Sequence, residues 1–169
     1  NRLSVAAYFD LTFYFTIPYK KENSNDLSSN QLPIQKRTDI NESKTLLIAE
    51  DEDLNYQYLC ELLLGSNFKL VRALNGPEVI EILNSEIHID LVLMDIKMPI
   101  MNGYEATRRI KAINPRLPVI AQTAYAQNID RLKAIESGCD DYISKPFTKS
   151  LIISKINEQL LKQKSDYPQ

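Results

Sequence analysis

The chain has 169 residues and a formal net charge of −2, and 44% of its residues are hydrophobic and 25% charged. These values are typical of one globular domain with an additional tail, and the small net charge gives no reason to expect a nucleic-acid or membrane partner. Two isolated cysteines, Cys60 and Cys139, argue against a disulfide framework or a zinc site and suit a reducing compartment. The single histidine, His88, rules out a multi-histidine metal site.

The first 43 residues differ in composition from the rest. The run LTFYFTIPY, which ends at Tyr19, is rich in aromatic and β-branched residues and predicts one β-strand. A single strand does not fold alone, so we interpret residues 1–19 as the remnant of a preceding domain or as residues added by cloning. The apolar stretch 3–17 contains Asp10, is too short to span a membrane and lacks the pattern of a signal peptide. Residues 20–43, rich in Asn, Ser, Gln and Lys, predict a flexible linker.

Residues 44–164 show the alternation expected of an α/β domain, and residues 165–169 are interpreted as a tail. Five short apolar runs predict strands that are buried on both faces, as in parallel sheets: TLLIA (45–49), FKLVRA (68–73), DLVLM (90–94), PVIAQ (118–122) and DYIS (141–144). Helical spacing follows each run. The strict alternation predicts a doubly wound parallel sheet with helices on both faces.

The helical segments carry apolar residues at intervals of three and four. In the first segment these are Leu54, Tyr58 and Leu62, and in the fourth they are Leu132 and Ile135. Boundary signals are also present, because Gly76-Pro77 marks the start of the second segment and Gly138 follows the fourth.

Polar and charged residues directly follow four of the five predicted strands. They are Glu50, Asp51, Asp95, Thr123 and Lys145, and Ala124 follows Thr123. The carboxyl ends of parallel strands share one edge, where ligands bind, so we expect these residues to lie close together. The acidic cluster needs a cation, and Mg²⁺, with Mn²⁺ as the alternative, suits both carboxylate and phosphate oxygens. Asp95 is then the natural nucleophile for a phosphoryl group, because carboxylates form acyl phosphates.

Four segments together resemble the receiver domains of two-component signalling. They are AEDEDLN (49–55), LVLMDIKMPIMNGYEATRRI (91–110), QTA (122–124) and GCDDYISKPF (138–147). They occur in the family's order, and the resemblance covers about 120 of the 169 residues. It implies a flavodoxin-like α/β fold with a five-stranded parallel sheet in the order 2-1-3-4-5.

The resemblance also implies roles for individual residues. Glu50 and Asp51 would help to bind Mg²⁺, Asp51 more directly. Asp95 would be phosphorylated and would ligate the metal, and Lys97 would offer its backbone carbonyl oxygen.

The phosphoryl group itself would be contacted by the Thr123 hydroxyl, the Ala124 amide and the Lys145 ammonium. Tyr142 would be the switch aromatic that responds to Thr123. The family implies a cis peptide bond before Pro146. Gln122 is more polar than the apolar residue usual in the family, and nothing in the sequence explains it.

A second resemblance concerns the N-terminal strand. LTFYFTIPYK (11–20) is similar to the last strand of a histidine-kinase ATP-binding domain, which in hybrid kinases precedes a linker and a receiver. We therefore expect a cytoplasmic receiver from a hybrid sensor histidine kinase, and membrane anchoring of the parent chain is left open. This segment would catalyse its own phosphorylation and dephosphorylation. Its expected partners are a phosphohistidine domain of a histidine kinase and a histidine phosphotransfer protein, without nucleic-acid or membrane contacts.

Three alternatives remain at this stage. The chain could be a stand-alone or transcriptional response regulator, or a degenerate receiver that acts only as a protein-binding module. The third is an aspartate-nucleophile phosphatase, which needs a second acid two residues after the nucleophile, where this chain has Lys97.

Overall fold

The computed structural model describes residues 43–124 and 128–165. The predicted N-terminal strand, almost all of the predicted linker and the last four residues of the chain lie outside these ranges. Within them, none of the helices is both long and apolar enough to cross a membrane.

Strands and helices alternate through the described residues. The strands are β1 (Lys44–Ala49), β2 (Phe68–Ala73), β3 (Leu91–Asp95), β4 (Val119–Thr123) and β5 (Asp141–Ser144). The helices are α1 (Asp53–Leu63), α2 (Gly76–Leu83), α3 (Gly103–Ile113), α4 (Asn128–Glu136) and α5 (Lys149–Ser165). The strands form one parallel sheet in the order β2-β1-β3-β4-β5, which confirms the predicted fold.

The central strands are the most deeply buried part of the sheet. Every residue of β3 and of β4 is buried, whereas β2 and β5 at the edges are only partly buried. Continuous apolar sequence and burial on both faces therefore coincide, as expected for a parallel sheet covered by helices.

Two apolar layers hold the helices to the sheet. On one face, Leu47 and Val92 pack with Val79 of α2 and Ile110 of α3. On the other face, strand residues pack with α1 and α5, and the fully buried side chains include Leu46, Leu93, Leu59, Ile152 and Ile156. Alternate strand residues thus serve opposite layers, which fixes the direction in which each strand-end side chain points.

The predicted helix boundaries agree with the structure. Asn75 precedes α2, and its side-chain oxygen accepts a hydrogen bond from the Glu78 amide at 3.0 Å. Gly138 follows α4 with φ of +93°, the left-handed conformation that glycine adopts without a steric penalty.

In two helices, most of the regularly spaced apolar residues are exposed rather than buried, although Leu62 of α1 packs against the core. In α1, Leu54 is 79% exposed, and the residues buried against the sheet are Leu59 and Leu63. In α4, Leu132 and Ile135 are both more than half exposed.

Candidate phosphoacceptor site

The residues predicted from the strand ends meet at the carboxyl edge of the sheet. β1, β3, β4 and β5 run in the same direction, so the residues that follow them emerge side by side. Together they line a cavity of about 770 Å³: Glu50, Asp51, Asp95, Lys97, Thr123, Ala124 and Lys145. Tyr142 is not among the lining residues, because it lies further back on β5.

Lys145 joins two carboxylates at the centre of this cavity. Its Nζ atom lies 2.6 Å from Glu50 Oε2 and 2.7 Å from Asp95 Oδ2. Partial burial of the ammonium would lower its pKa, but the hydrogen bonds and the attraction from Asp95 and Glu50 outweigh burial and raise the pKa of Lys145. The peptide bond from Lys145 to Pro146 is cis, as the resemblance implied.

Glu50 is fully buried, although it carries an ionisable group. Its Oε1 atom accepts hydrogen bonds from the Asn55 side chain at 3.2 Å and from the Glu52 amide at 3.3 Å. Burial raises the pKa of Glu50, and the nearby Asp95 carboxylate raises it further, whereas Lys145 and Asn55 act in the opposite direction. Glu50 is therefore held rigidly by three partners instead of projecting freely into the cavity.

Asp95 is positioned by the turn that follows β3. The Lys97 amide donates to Asp95 Oδ1 at 2.9 Å, and the Gly103 amide donates to the Ile96 carbonyl oxygen at 3.0 Å. A β-carbon at Gly103 would overlap the Asp95 carbonyl oxygen, so this close approach requires glycine. Ile100, in the same turn, has φ of +68°, an unfavourable backbone conformation for a β-branched residue.

Three carboxylates in this cavity form a group suited to a metal ion. One oxygen each of Glu50, Asp51 and Asp95 lies within 4.8 Å of the other two, and Asp51 is exposed. Three negative charges lie near the ammonium of Lys145, so a divalent cation would balance the cluster better than this lysine alone. Hard oxygen donors, one of them open to solvent, fit Mg²⁺, which keeps several of its own waters.

The fourth and fifth strands complete the cavity. Thr123 is buried at the end of β4, Ala124 is exposed, and the Lys145 amide donates to the Thr123 carbonyl oxygen at 2.7 Å. The Tyr142 ring is half-buried, with the Arg131 guanidinium 5.6 Å and the Lys155 ammonium 5.8 Å from its centroid. Each of these is a cation–π contact to an element that borders β5.

Sequence reasoning missed the role of Asn55 and did not foresee how Gln122 is buried. The Asn55 side chain donates a hydrogen bond to Glu50. The position of Asn55 in the segment AEDEDLN, in the first turn of the helix that follows the acidic pair, could have indicated this contact. Gln122 is fully buried beside the site, and neither its amide nitrogen nor its amide oxygen has a hydrogen-bond partner among the groups that the structure describes.

Comparison with known proteins agrees with this geometry. The model of the response regulator receiver domain family matches residues 46–157. The chain belongs to this family. This chain is 36% identical over 148 residues to hybrid signal transduction histidine kinase I of Dictyostelium discoideum, a match that covers 83% of this chain and 8% of that protein. It is also 36% identical over 120 residues to the polar-differentiation response regulator DivK of Brucella ovis, with 70% of this chain and 97% of that protein covered.

A solved structure shares the fold of the receiver domain. It is the receiver domain of sensor histidine kinase PA1611 from Pseudomonas aeruginosa, described with a magnesium ion coordinated in its active site cleft. The TM-score is 0.65 at 28% sequence identity, and the match covers 70% of this chain and 98% of that one. The chain is thus a receiver domain of two-component signalling with the flavodoxin-like fold, homologous to the receiver part of hybrid kinases.

Proposed function

We propose that Asp95 takes a phosphoryl group from a phosphohistidine and then passes it to another histidine or releases it to water. The observation that supports this most directly is the pairing of Lys145 with Asp95 at 2.7 Å inside a cavity that also holds a carboxylate cluster. The pairing orients the carboxylate, and the cluster supplies the negative field that a metal ion neutralises.

In the proposed transfer, an oxygen of the Asp95 carboxylate forms a bond to phosphorus while the bond between phosphorus and the donor's imidazole nitrogen breaks. The imidazole keeps that electron pair. The Lys145 ammonium, the Thr123 hydroxyl and the Ala124 amide would donate to the phosphoryl oxygens as charge develops on them.

We propose that Mg²⁺ binds to Asp51, Asp95 and the backbone carbonyl of Lys97, with Mn²⁺ as an alternative ion. When bound, the ion would neutralise charge on the phosphoryl oxygens. Glu50 would help to bind the ion from a fixed position, since its carboxylate accepts hydrogen bonds from Lys145 and Asn55.

We also propose that the receiver belongs to a hybrid sensor histidine kinase. Residues 44–169 make up about three quarters of the chain, so a match to a hybrid kinase that covers 83% of the chain must include part of residues 1–43. The phosphoryl donor would then be a phosphohistidine domain of a histidine kinase, and a histidine phosphotransfer protein would be the acceptor.

The match to DivK favours a second candidate, a stand-alone response regulator, because that protein is covered almost completely. Antibodies raised against residues 43–165 distinguish the two on an immunoblot of the source cells. A hybrid kinase would run several times heavier than a single domain, and a band at single-domain size would contradict our proposal.

A receiver that only binds proteins is a weaker candidate, because Asp95, Thr123 and Lys145 all line one cavity.

Phosphorylation with acetyl phosphate and Mg²⁺ tests the assignment of Asp95. Wild type should gain the mass of one phosphoryl group, removable by hydroxylamine as expected for an acyl phosphate, whereas Asp95→Asn should gain none. Asp53→Asn is the matched control, since Asp53 lies near the cavity but is exposed and paired with Arg72 at 2.7 Å. Comparable phosphate on Asp95→Asn would show that another residue is the acceptor.

A further inference from the structure

A second, smaller cavity lies next to the phosphoacceptor site, between α1 and the segment that joins β5 to α5. Its volume is about 290 Å³. Its apolar walls are Tyr58, Leu59, Pro146 and Phe147. This volume is near the lower limit for ligand pockets but ample for one ring, since a cavity of roughly half that size holds benzene.

Gln122 gives this cavity its chemical character. It lines the cavity, its side chain is fully buried, and neither its amide nitrogen nor its amide oxygen is hydrogen-bonded to any group that the structure describes. Buried polar atoms are nearly always paired, because an unpaired one loses its hydration without replacement. A complete amide left without protein partners, at the wall of a cavity, indicates a ligand that supplies both a donor and an acceptor.

We propose that this cavity binds an uncharged, planar molecule with adjacent N–H and C=O groups, such as an aromatic carboxamide or a lactam-type heterocycle. The ligand's N–H would donate to the Gln122 oxygen, and its carbonyl would accept from the Gln122 NH₂ group, which forms a closed pair of hydrogen bonds. Its ring would lie against Tyr58 and Phe147, whose own rings are 6.3 Å apart and inclined by 42°.

The charges around the cavity favour a neutral ligand. Lys145 contributes to the wall, but its ammonium is already paired with Glu50 and Asp95. An anionic ligand would meet these carboxylates without a free positive charge to balance it, and a cation would find no carboxylate in the wall itself among the described residues.

Entry to the amide requires a side chain to move. The Gln122 amide lies behind the cavity surface, and Tyr58 is the more exposed of the two lining aromatics, at 43% against 5% for Phe147. The Tyr58 hydroxyl donates to the Phe147 carbonyl oxygen at 2.8 Å. Rotation of such an exposed side chain is fast.

Benzamide is the probe for the first experiment, with the 169-residue chain labelled with ¹⁵N. Titration to about 20 mM, the range in which a fragment of this size binds, should shift the side-chain NH₂ signals of Gln122. N,N-dimethylbenzamide, which has the ring and the carbonyl but no N–H, should bind at least tenfold more weakly. Benzoate should also bind at least tenfold more weakly because it is charged.

Two variants separate binding from folding. Gln122→Leu removes the amide at similar size and should abolish benzamide binding while unfolding at the same temperature as wild type or higher, because an unpaired buried group is lost. Gln159→Leu is the matched control: Gln159 is also buried but donates to Asp141 at 3.4 Å, so its loss should leave benzamide binding unchanged. Equal benzamide affinity in wild type and Gln122→Leu would overturn the proposal. Gln122 signals that do not shift during the titration would also overturn it, because they would mean that only water forms hydrogen bonds with this amide.

Discussion

Lys145 and Asp51 have different roles in the carboxylate cluster. Lys145 is largely enclosed and contacts both Glu50 and Asp95, so it stabilises the cluster from within. Asp51 is the exposed member and faces the solvent side of the cavity. A hydrated cation approaching from solvent therefore meets Asp51 first, and its affinity should depend strongly on this residue.

Removal of the Asp51 carboxylate should weaken Mg²⁺ binding by at least tenfold, about 1.4 kcal/mol, because the ion loses one charged ligand. The free energy of unfolding should change little, since the side chain is exposed. Titration of Asp51→Ala with Mn²⁺, followed by electron paramagnetic resonance, measures the affinity directly. Asp53→Ala is the control, and unchanged affinity in Asp51→Ala would place the ion elsewhere.

Gly103 has a structural role that affects the position of Asp95. A methyl group at position 103 would overlap the Asp95 carbonyl oxygen, and the backbone near Asp95 would have to shift to relieve the overlap. Gly103→Ala should therefore lower the free energy of unfolding by roughly 1–3 kcal/mol and weaken Mn²⁺ binding as well. Gly65→Ala is the matched control. Its φ of +81° is unfavourable for alanine, so this variant is also destabilised, but no atom lies close enough to overlap the added methyl group. If both variants keep wild-type metal affinity, the turn after β3 does not position Asp95.

At the level of secondary structure elements, the amino end of β3 is anchored by a buried carboxylate. Asp90 is 6% exposed, and its oxygens accept hydrogen bonds from the Lys44 ammonium and the Thr45 amide, both at 2.8 Å. Burial alone would raise the pKa of Asp90, but the bonds to Lys44 and Thr45 prevail and lower it. This carboxylate therefore fastens β1 to β3 at the end of the sheet opposite the candidate site.

The lowered pKa of Asp90 predicts how stability depends on pH. The unfolded state takes up the proton more readily, so the stabilisation from ionised Asp90 is complete above the ordinary value of 3.8 and is lost as the pH falls through the lower folded-state value. At pH 7, Asp90→Asn should lose about 2 kcal/mol of unfolding free energy, the range for hydrogen bonds to a charged group.

Urea denaturation followed by circular dichroism, at pH values from 7 to about 3, tests this dependence. The difference between wild type and Asp90→Asn should shrink as the pH falls below 3.8. Asp53→Asn changes an exposed acid in the same domain and should differ from wild type by only a small amount. A difference for Asp90→Asn that persists undiminished at low pH would show that its charge is not what stabilises the strand pair.

The faces of the helices show where prediction from sequence fails. In α1, Leu54, Tyr58 and Leu62 form one stripe of apolar residues, but Leu59 and Leu63 form another, and periodicity cannot choose between them. The choice is made by packing against Ile152 and Ile156 of α5, about a hundred residues away in sequence. In α4, the small Ala134 faces the sheet, and the larger apolar residues stay exposed.

The candidate site was more predictable than the helix faces. Asp95 and Lys145 directly follow apolar strands, and the topology of a parallel sheet brings such positions together whatever the helices do. Asn55 was missed because its contact with Glu50 depends on where α1 lies, and the burial of Gln122 without partners depends on how α1 and α5 close over β4.

At the scale of the whole domain, the sheet connects the candidate site to the surface of α4, β5 and α5. Thr123 and Tyr142 lie on neighbouring strands, and Tyr142 pairs in register with Ala121, two residues before Thr123. Their side chains point to the same face of the sheet. The Tyr142 ring in turn contacts Arg131 of α4 and Lys155 of α5, so any rotation of the ring changes both helices' surfaces.

Phosphorylation of Asp95 is therefore expected to alter this surface through Thr123. Anionic phosphoryl oxygens offer the Thr123 hydroxyl a charge-assisted hydrogen bond, which is stronger than a neutral one. We expect the hydroxyl to move towards Asp95 and so to vacate space for the Tyr142 ring. The phosphoryl group would shift the balance between the two ring positions only by the difference in its interaction free energy with the two states.

Thr123→Ala should accept phosphate on Asp95 but lose most of the change at the α4, β5 and α5 surface. Beryllofluoride, which mimics a phosphoryl group, allows amide chemical shifts to be compared with and without the mimic. Wild type should show large shifts in residues 128–160, and Thr123→Ala should show small ones. Ser144→Ala is the matched control, because Ser144 pairs with Thr123 on the adjacent strand and carries a similar hydroxyl. Equal shifts in wild type and Thr123→Ala would disprove the coupling while leaving phosphorylation of Asp95 intact.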